Sequence, residues 1–150
     1  MKLNIIEKLI GSVFFTGYIK FAPGTFGSLA AILIYFIPGF ENPTVMISAI
    51  TVCIILGIKL GNKFEKYFGK DPSQFTLDEV VGTWISLLLV PKTILFVSLT
   101  FLVWRGLDII KPFPAGLAEK IKGGTGIVLD DIIAGFYSLI IIHIIVYFVK

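Results

Sequence analysis

Val80-Val81-Gly82-Thr83-Trp84-Ile85-Ser86-Leu87-Leu88-Leu89-Val90-Pro91-Lys92-Thr93-Ile94-Leu95-Phe96-Val97-Ser98-Leu99-Thr100-Phe101-Leu102-Val103-Trp104 is the stretch on which the fold turns. As one helix it would run about 37 Å at 1.5 Å per residue, enough for a tilted membrane crossing. Lys92 would then lie at mid-membrane, and Pro91 would break the hydrogen-bond ladder beside it. A helical hairpin turning at Val90-Pro91-Lys92-Thr93 avoids both costs. Its arms begin before Val80 and end beyond Trp104. Thr76 is the expected N-cap of the first arm, with Glu79 three residues on as its capping-box partner.

Composition says why a membrane enters the argument. The chain has 150 residues, so length allows one domain, expected to span residues 1–150. Hydrophobic residues make up 56% and charged residues 15%, and mean hydropathy is +0.94. A soluble domain carries about 25% charged residues. This chain lacks the polar residues to cover a wet surface, so it reads as a small integral membrane protein. A net charge of +3 is too mild to predict a nucleic-acid partner. The single cysteine, in Val52-Cys53-Ile54-Ile55, reads as a buried and inert thiol.

Working outward, Ile6, Leu9, Ile10, Val13 and Phe14 fall on one helical face while Lys2, Glu7 and Lys8 occupy others. This predicts an amphipathic helix lying at the interface, not a secretory signal. Besides the hairpin, apolar stretches occupy 26–37, 45–60 and 127–149. With the hairpin, residues 1–24, 61–79 and 105–126 share one side. Counting Lys59 at the membrane edge, that side holds eleven of the thirteen Lys and Arg, leaving Lys92 and Lys150 opposite. The positive-inside rule makes the crowded side cytoplasmic. The expected architecture is all-α: a small polytopic membrane helical bundle of five short arms, with an N-terminal interfacial helix and a Pro-broken helical hairpin.

Nine of the ten acids share that cytoplasmic side, Glu41 being the exception. Glu7, Glu65 and Glu119 stand near lysines and read as solvated. Asp78, Glu79, Asp108, Asp130 and Asp131 instead lie at the ends of apolar runs, where an acid is a functional candidate. Leu77-Asp78-Glu79-Val80-Val81-Gly82 also parallels Leu129-Asp130-Asp131-Ile132-Ile133-Ala134-Gly135. Glycines at the ends of these segments would let two helices approach closely. Asp78, Glu79, Asp130 and Asp131 are therefore expected to converge within roughly 5 Å, with Asp108 near them. Four carboxylates cannot all stay ionised together without cations, and Mg²⁺ suits carboxylates plus phosphate oxygens. The plainer reading, acids capping helix starts, applies to any one of them.

Two further features suit phosphate. Ala22-Pro23-Gly24-Thr25-Phe26-Gly27-Ser28 leads into an apolar helix, so it is either an anion cradle of backbone N–H groups or a plain capped turn. Gly123-Gly124-Thr125-Gly126 invites the same two readings. Lys111, in Lys111-Pro112-Phe113-Pro114, either pairs with phosphate or snorkels at the surface. His143 stands far along the last helix from the acids.

Taken together and in this order, the 22–28, 77–82, 108–114 and 123–135 stretches resemble the phosphatidylglycerophosphatase A family. Phe113 stands where the family more often has Trp, and Thr76 where it has an apolar residue. The resemblance implies a Mg²⁺-dependent phosphatase at the inner face of the bacterial cytoplasmic membrane, multi-pass and acting on the phospholipid phosphatidylglycerol phosphate. It implies Asp78, Glu79, Asp108, Asp130 and Asp131 as the catalytic acids, with Asp78, Glu79, Asp130 and Asp131 holding the metal. Gly24, Thr25, Ser28 and Lys111 would hold phosphate. The rival expectation is a small carrier or channel using the same acids for cation binding. A chain of acids across the bilayer would favour transport, and a cluster at one edge favours the enzyme.

Overall fold

A computed structural model describes residues 2–150, which form an all-helical bundle. The helices are α1 (Ile5–Gly11), α2 (Pro23–Tyr35), α3 (Pro43–Phe68), α4 (Leu77–Leu87), α5 (Ile94–Ile110), α6 (Ala115–Ala118) and α7 (Gly124–Val149), with a 3₁₀ turn at Thr16–Tyr18. No strand occurs among the described residues.

The hairpin forms as expected. Leu89 takes a left-handed conformation after α4, and the Thr93 side chain caps α5 by accepting from the Phe96 N–H at 3.3 Å. Lys92 at its tip donates to Glu41 (2.6 Å) and to the Ile37 carbonyl (3.1 Å). Both charges of the tip therefore sit together, away from the other acids. Thr76 does occupy the N-cap position of α4, but its side chain does not cap the helix. Its hydroxyl meets that of Thr16 at 3.1 Å, and Glu79 turns to other partners, so no capping box forms.

Two other expectations are corrected. The N-terminal helix stops at Gly11, where a Cβ would lie 2.5 Å from the Phe64 ring, and Val13, Phe14 and Phe15 all have positive φ. Val13 is thus turned inward, while Ile5, Ile6 and Phe14 face out. A capping box between Asn4 and Glu7 starts this short helix. Glu7 also pairs with Lys63 of α3, and that bond holds its carboxyl below the usual glutamate range. The arms, moreover, are not all short: α3 and α7 each run 26 residues.

α4 is the central helix, and every residue in it except Glu79 is buried. Its main partner is α7, with α2, α3 and α5 around the rest. Gly135 makes this contact possible, and Gly82 makes room for Trp104 of α5. A Cβ at Gly135 would lie 2.9 Å from the Gly82 carbonyl oxygen, and one at Gly82 would lie 2.0 Å from the buried Trp104 ring. The backbones therefore meet with no side chain between them. At the start of α7, Gly124 donates to Asn62 at 2.8 Å and packs its Cα against Gly61, so the 123–126 run is a joint to α3.

Two helices, α3 and α7, are long and apolar enough to cross a membrane. Only 28% and 22% of their most apolar windows are buried within the bundle. Their apolar side chains mostly face outward, which water would penalise and lipid would not.

Candidate active site

Three helices deliver acids to one end of the bundle. Asp78 and Glu79 lie in the first turn of α4, where the helix dipole favours negative charge. Asp108 lies in the last turn of α5, where the dipole opposes it, and Arg105 one turn earlier supplies the compensating charge. Asp130 and Asp131 lie early in α7, which the glycine contact presses against α4. All of these side chains except Glu79 and Arg105 are buried, and those two are half-buried.

One carboxylate oxygen from each of Glu79, Asp108 and Asp131 lies within 4.8 Å of the others. Arg105 Nη1 donates to Glu79 Oε2 at 2.6 Å and to Asp108 Oδ2. The Ser28 hydroxyl also donates to Glu79 Oε2, at 3.3 Å. Asp130 is turned the other way: its Oδ2 accepts from Lys111 Nζ at 2.8 Å, and its Oδ1 from the Asp131 N–H at 3.0 Å. Asp108 therefore joins the close triplet, while Asp130 stands beside it in an ion pair. Lys111 also reaches Glu119 at 3.2 Å. Partial burial works against its charge, but the bonds to Asp130 and Glu119 raise its pKa above the ordinary lysine value, so it stays an ammonium.

These groups wall a cavity of about 290 Å³, together with Gly24 and with Asp71 from the loop before α4. Three buried polar atoms on its walls lack a partner: Asp78 Oδ1, Asp131 Oδ2 and Arg105 Nε. Buried polar groups are rarely left so. Two unpartnered carboxylate oxygens suit a hard cation, and an unpartnered guanidinium N–H suits an anion. The donor set thus fits a divalent metal and a phosphate side by side.

Of the residues expected to hold phosphate, Gly24 and Lys111 line the cavity, and Thr25 and Ser28 do not. The 24–28 stretch is the start of α2 rather than a loop, and Ser28 is fully buried between Glu79 and the Trp104 indole N–H. Gly24 is needed for proximity: a Cβ there would lie 2.1 Å from Glu79 Oε1. Arg105 is one of the eleven basic residues of the crowded side, and nothing but that count singles it out by topology. Its signal was the Arg105, Asp108, Lys111 spacing, which puts three charges on one side of an otherwise apolar helix end. Asp71 carried no such signal, since only the chain path of the loop brings it to the cavity rim.

An all-helical bundle with an outward apolar surface carries at one end a carboxylate pocket flanked by Arg105 and Lys111, the class of a helical protein with a candidate metal and anion site. Comparison with known proteins narrows the class. Phosphatidylglycerophosphatase A as a family matches residues 9–146. The chain is 33% identical to phosphatidylglycerophosphatase A of Escherichia coli, covering 97% of this chain and 86% of that protein. It is 34% identical to phosphatidylglycerophosphatase A of Haemophilus influenzae, covering 97% and 91%. A Bacteroides thetaiotaomicron protein provisionally named phosphatidylinositol-3-phosphatase is 39% identical over 94% of both chains. No solved structure matches. The chain belongs to the phosphatidylglycerophosphatase A family.

Proposed function

We propose that this chain, as a single domain, is a Mg²⁺-dependent phosphatase that converts phosphatidylglycerol phosphate to phosphatidylglycerol and phosphate at the cytoplasmic face of a bacterial inner membrane. The observation that carries this reading is the meeting of unpartnered acid oxygens and an unpartnered guanidinium N–H in one pocket, at the end of a bundle with apolar flanks. Gathering of the acids at one end, rather than along the bundle, favours the enzyme over a carrier.

The substrate is a phosphate monoester dianion, which repels an incoming nucleophile. Glu79, Asp108 and Asp131 would hold the cation, with Asp78 and Asp130 beside them. A bound Mg²⁺ neutralises phosphate charge and acidifies water. Arg105 orients the phosphate through its free Nε–H, and Lys111 supplies the second positive charge. Water adds to phosphorus, the bond from phosphorus to the glycerol oxygen breaks, and that oxygen leaves with a proton. The apolar flanks keep the acyl chains in the bilayer while the headgroup reaches the pocket.

Purified protein should release inorganic phosphate from phosphatidylglycerol phosphate with Mg²⁺ and stop in EDTA. Phosphatidylinositol 3-phosphate is the second substrate to assay, because of the name of the Bacteroides relative. Release from that lipid alone would replace the substrate assignment, and release from neither would refute the reading.

Orientation has its own test. Single cysteines at 66 and 92, introduced after Cys53 is replaced, are exposed to an impermeant thiol reagent in intact cells. Position 92 should label from outside, and position 66 only after the cells are opened. Labelling at 66 but not at 92 would show the orientation reversed.

A further inference from the structure

We propose that the cleft between α2 and α5 is the subsite for one acyl chain of the phospholipid substrate, and that it sets the headgroup's approach to the acid pocket. This rests on the lipid phosphatase reading above. α2 and α5 run antiparallel and meet only lightly. Near the acid end they are joined by the bond from Trp104 to Ser28. Below it they part around an apolar cleft of about 280 Å³, lined by Leu29, Ile32, Phe36, Ile94, Phe101 and Leu102 among others.

The cleft points at the pocket. On α5, Ile94, Ser98, Phe101, Leu102 and Arg105 share one helical face, so the guanidinium that binds Glu79 and Asp108 heads the apolar stripe. Leu102 is only three residues, about 4.5 Å of rise, from Arg105. On α2, Thr25 heads the stripe of Leu29, Ile32 and Phe36 by the same spacing. By helical spacing Thr25 and Arg105 thus stand one turn beyond the apolar slot on the acid side, the order of the polar-to-apolar step of a phospholipid below its headgroup.

Two other apolar cavities lack this continuity. One lies against Leu77, Val80 and Trp84, on the face of α4 turned away from Glu79. The other lies at the hairpin end against Leu88, Leu89 and Tyr147. It also touches His143, about 18 Å of helix from Asp131.

The test uses the whole protein in phosphatidylglycerol vesicles with phosphatidylglycerol phosphate carrying a photoreactive group in one acyl chain. Adducts, mapped by mass spectrometry, should concentrate on the cleft faces of α2 and α5. They should drop when the slot is filled by Ser98→Trp, and persist in Leu33→Trp, a position that is 72% exposed and outside the cleft. Ser98→Trp should also lower the ratio of kcat/KM for dioleoyl over dihexanoyl substrate at least about tenfold, as expected when several methylenes are kept out of an apolar slot. Adducts spread over the outward faces of α3 and α7, or unchanged by Ser98→Trp, would overturn the proposal. Adducts in the cleft without phosphate release from any lipid would keep the subsite and remove the phosphatase reading, so the two failures are separable.

Discussion

Asp131→Asn and Glu79→Gln should each lower Mg²⁺-dependent phosphate release at least about a hundredfold, since each 1.36 kcal/mol lost at a metal centre is tenfold in rate. Both substitutions keep size and hydrogen-bonding capacity and remove only charge. Both positions offer an oxygen to the close triplet with Asp108. Folding should not suffer in parallel. The acids are crowded and repel, so removing the charge of Asp131, whose carboxylate pairs with no cation, leaves the metal-free fold as stable or more so. At Glu79 the relief is offset by the lost pair with Arg105, which keeps Asp108. The expected result is loss of turnover in both, with an unchanged or raised melting temperature in detergent for Asp131→Asn. Asp78→Asn and Asp130→Asn complete the series. Near-normal activity in all four variants would mean that the acids are helix caps.

Arg105→Met should be the second large loss, and of a different kind. One guanidinium nitrogen compensates both Glu79 and Asp108, and the Nε–H remains for phosphate. Removing it takes away the proposed phosphate donor and leaves the buried Asp108 and the half-buried Glu79 without their countercharge. Breaking a buried ion pair from one side costs about 3–5 kcal/mol. The variant should therefore melt earlier than wild type without metal and recover part of the difference when Mg²⁺ is added, because the cation takes over the compensation. Activity should fall at least about a hundredfold, by the same rate arithmetic. Arg105→Lys should rescue stability better than rate, since an ammonium supplies charge but not the fork. Full activity in Arg105→Met would remove the arginine from the site.

Much of this was written in the sequence at the level of spacing. Pro91-Lys92 in an apolar run dictates a turn, because neither residue is tolerated mid-membrane. The glycine that follows the paired acids in 129–135 marks the α4/α7 contact, because a Cβ at Gly135 would meet the Gly82 carbonyl, whereas Gly82 itself makes room for Trp104 of α5. What could not be read depends on where side chains turn after the helices pack. Thr76 is a sound N-cap by type, yet its hydroxyl goes to Thr16. Asp130 and Asp131 are adjacent in sequence and nearly opposite in role, one paired with Lys111 and the other aimed into the pocket. Asp108 enters the triplet because Arg105 draws it and Glu79 together across two helices. The small residues of 24–28 read equally well as loop or helix start, and the choice falls to helix once Gly24 must pass beside Glu79.

The central claim is that these carboxylates hold the cation the phosphatase uses. Its most direct test is the Mg²⁺ dependence of turnover on phosphatidylglycerol phosphate in wild type, Asp131→Asn and Glu79→Gln. Wild type should be inactive in EDTA and saturate with Mg²⁺. The variants' residual turnover should need at least about tenfold more Mg²⁺ for half-saturation, the effect of weakening a ligand set by about 1.4 kcal/mol. Wild-type turnover that survives EDTA, or variants that saturate at the wild-type Mg²⁺ concentration, would contradict it.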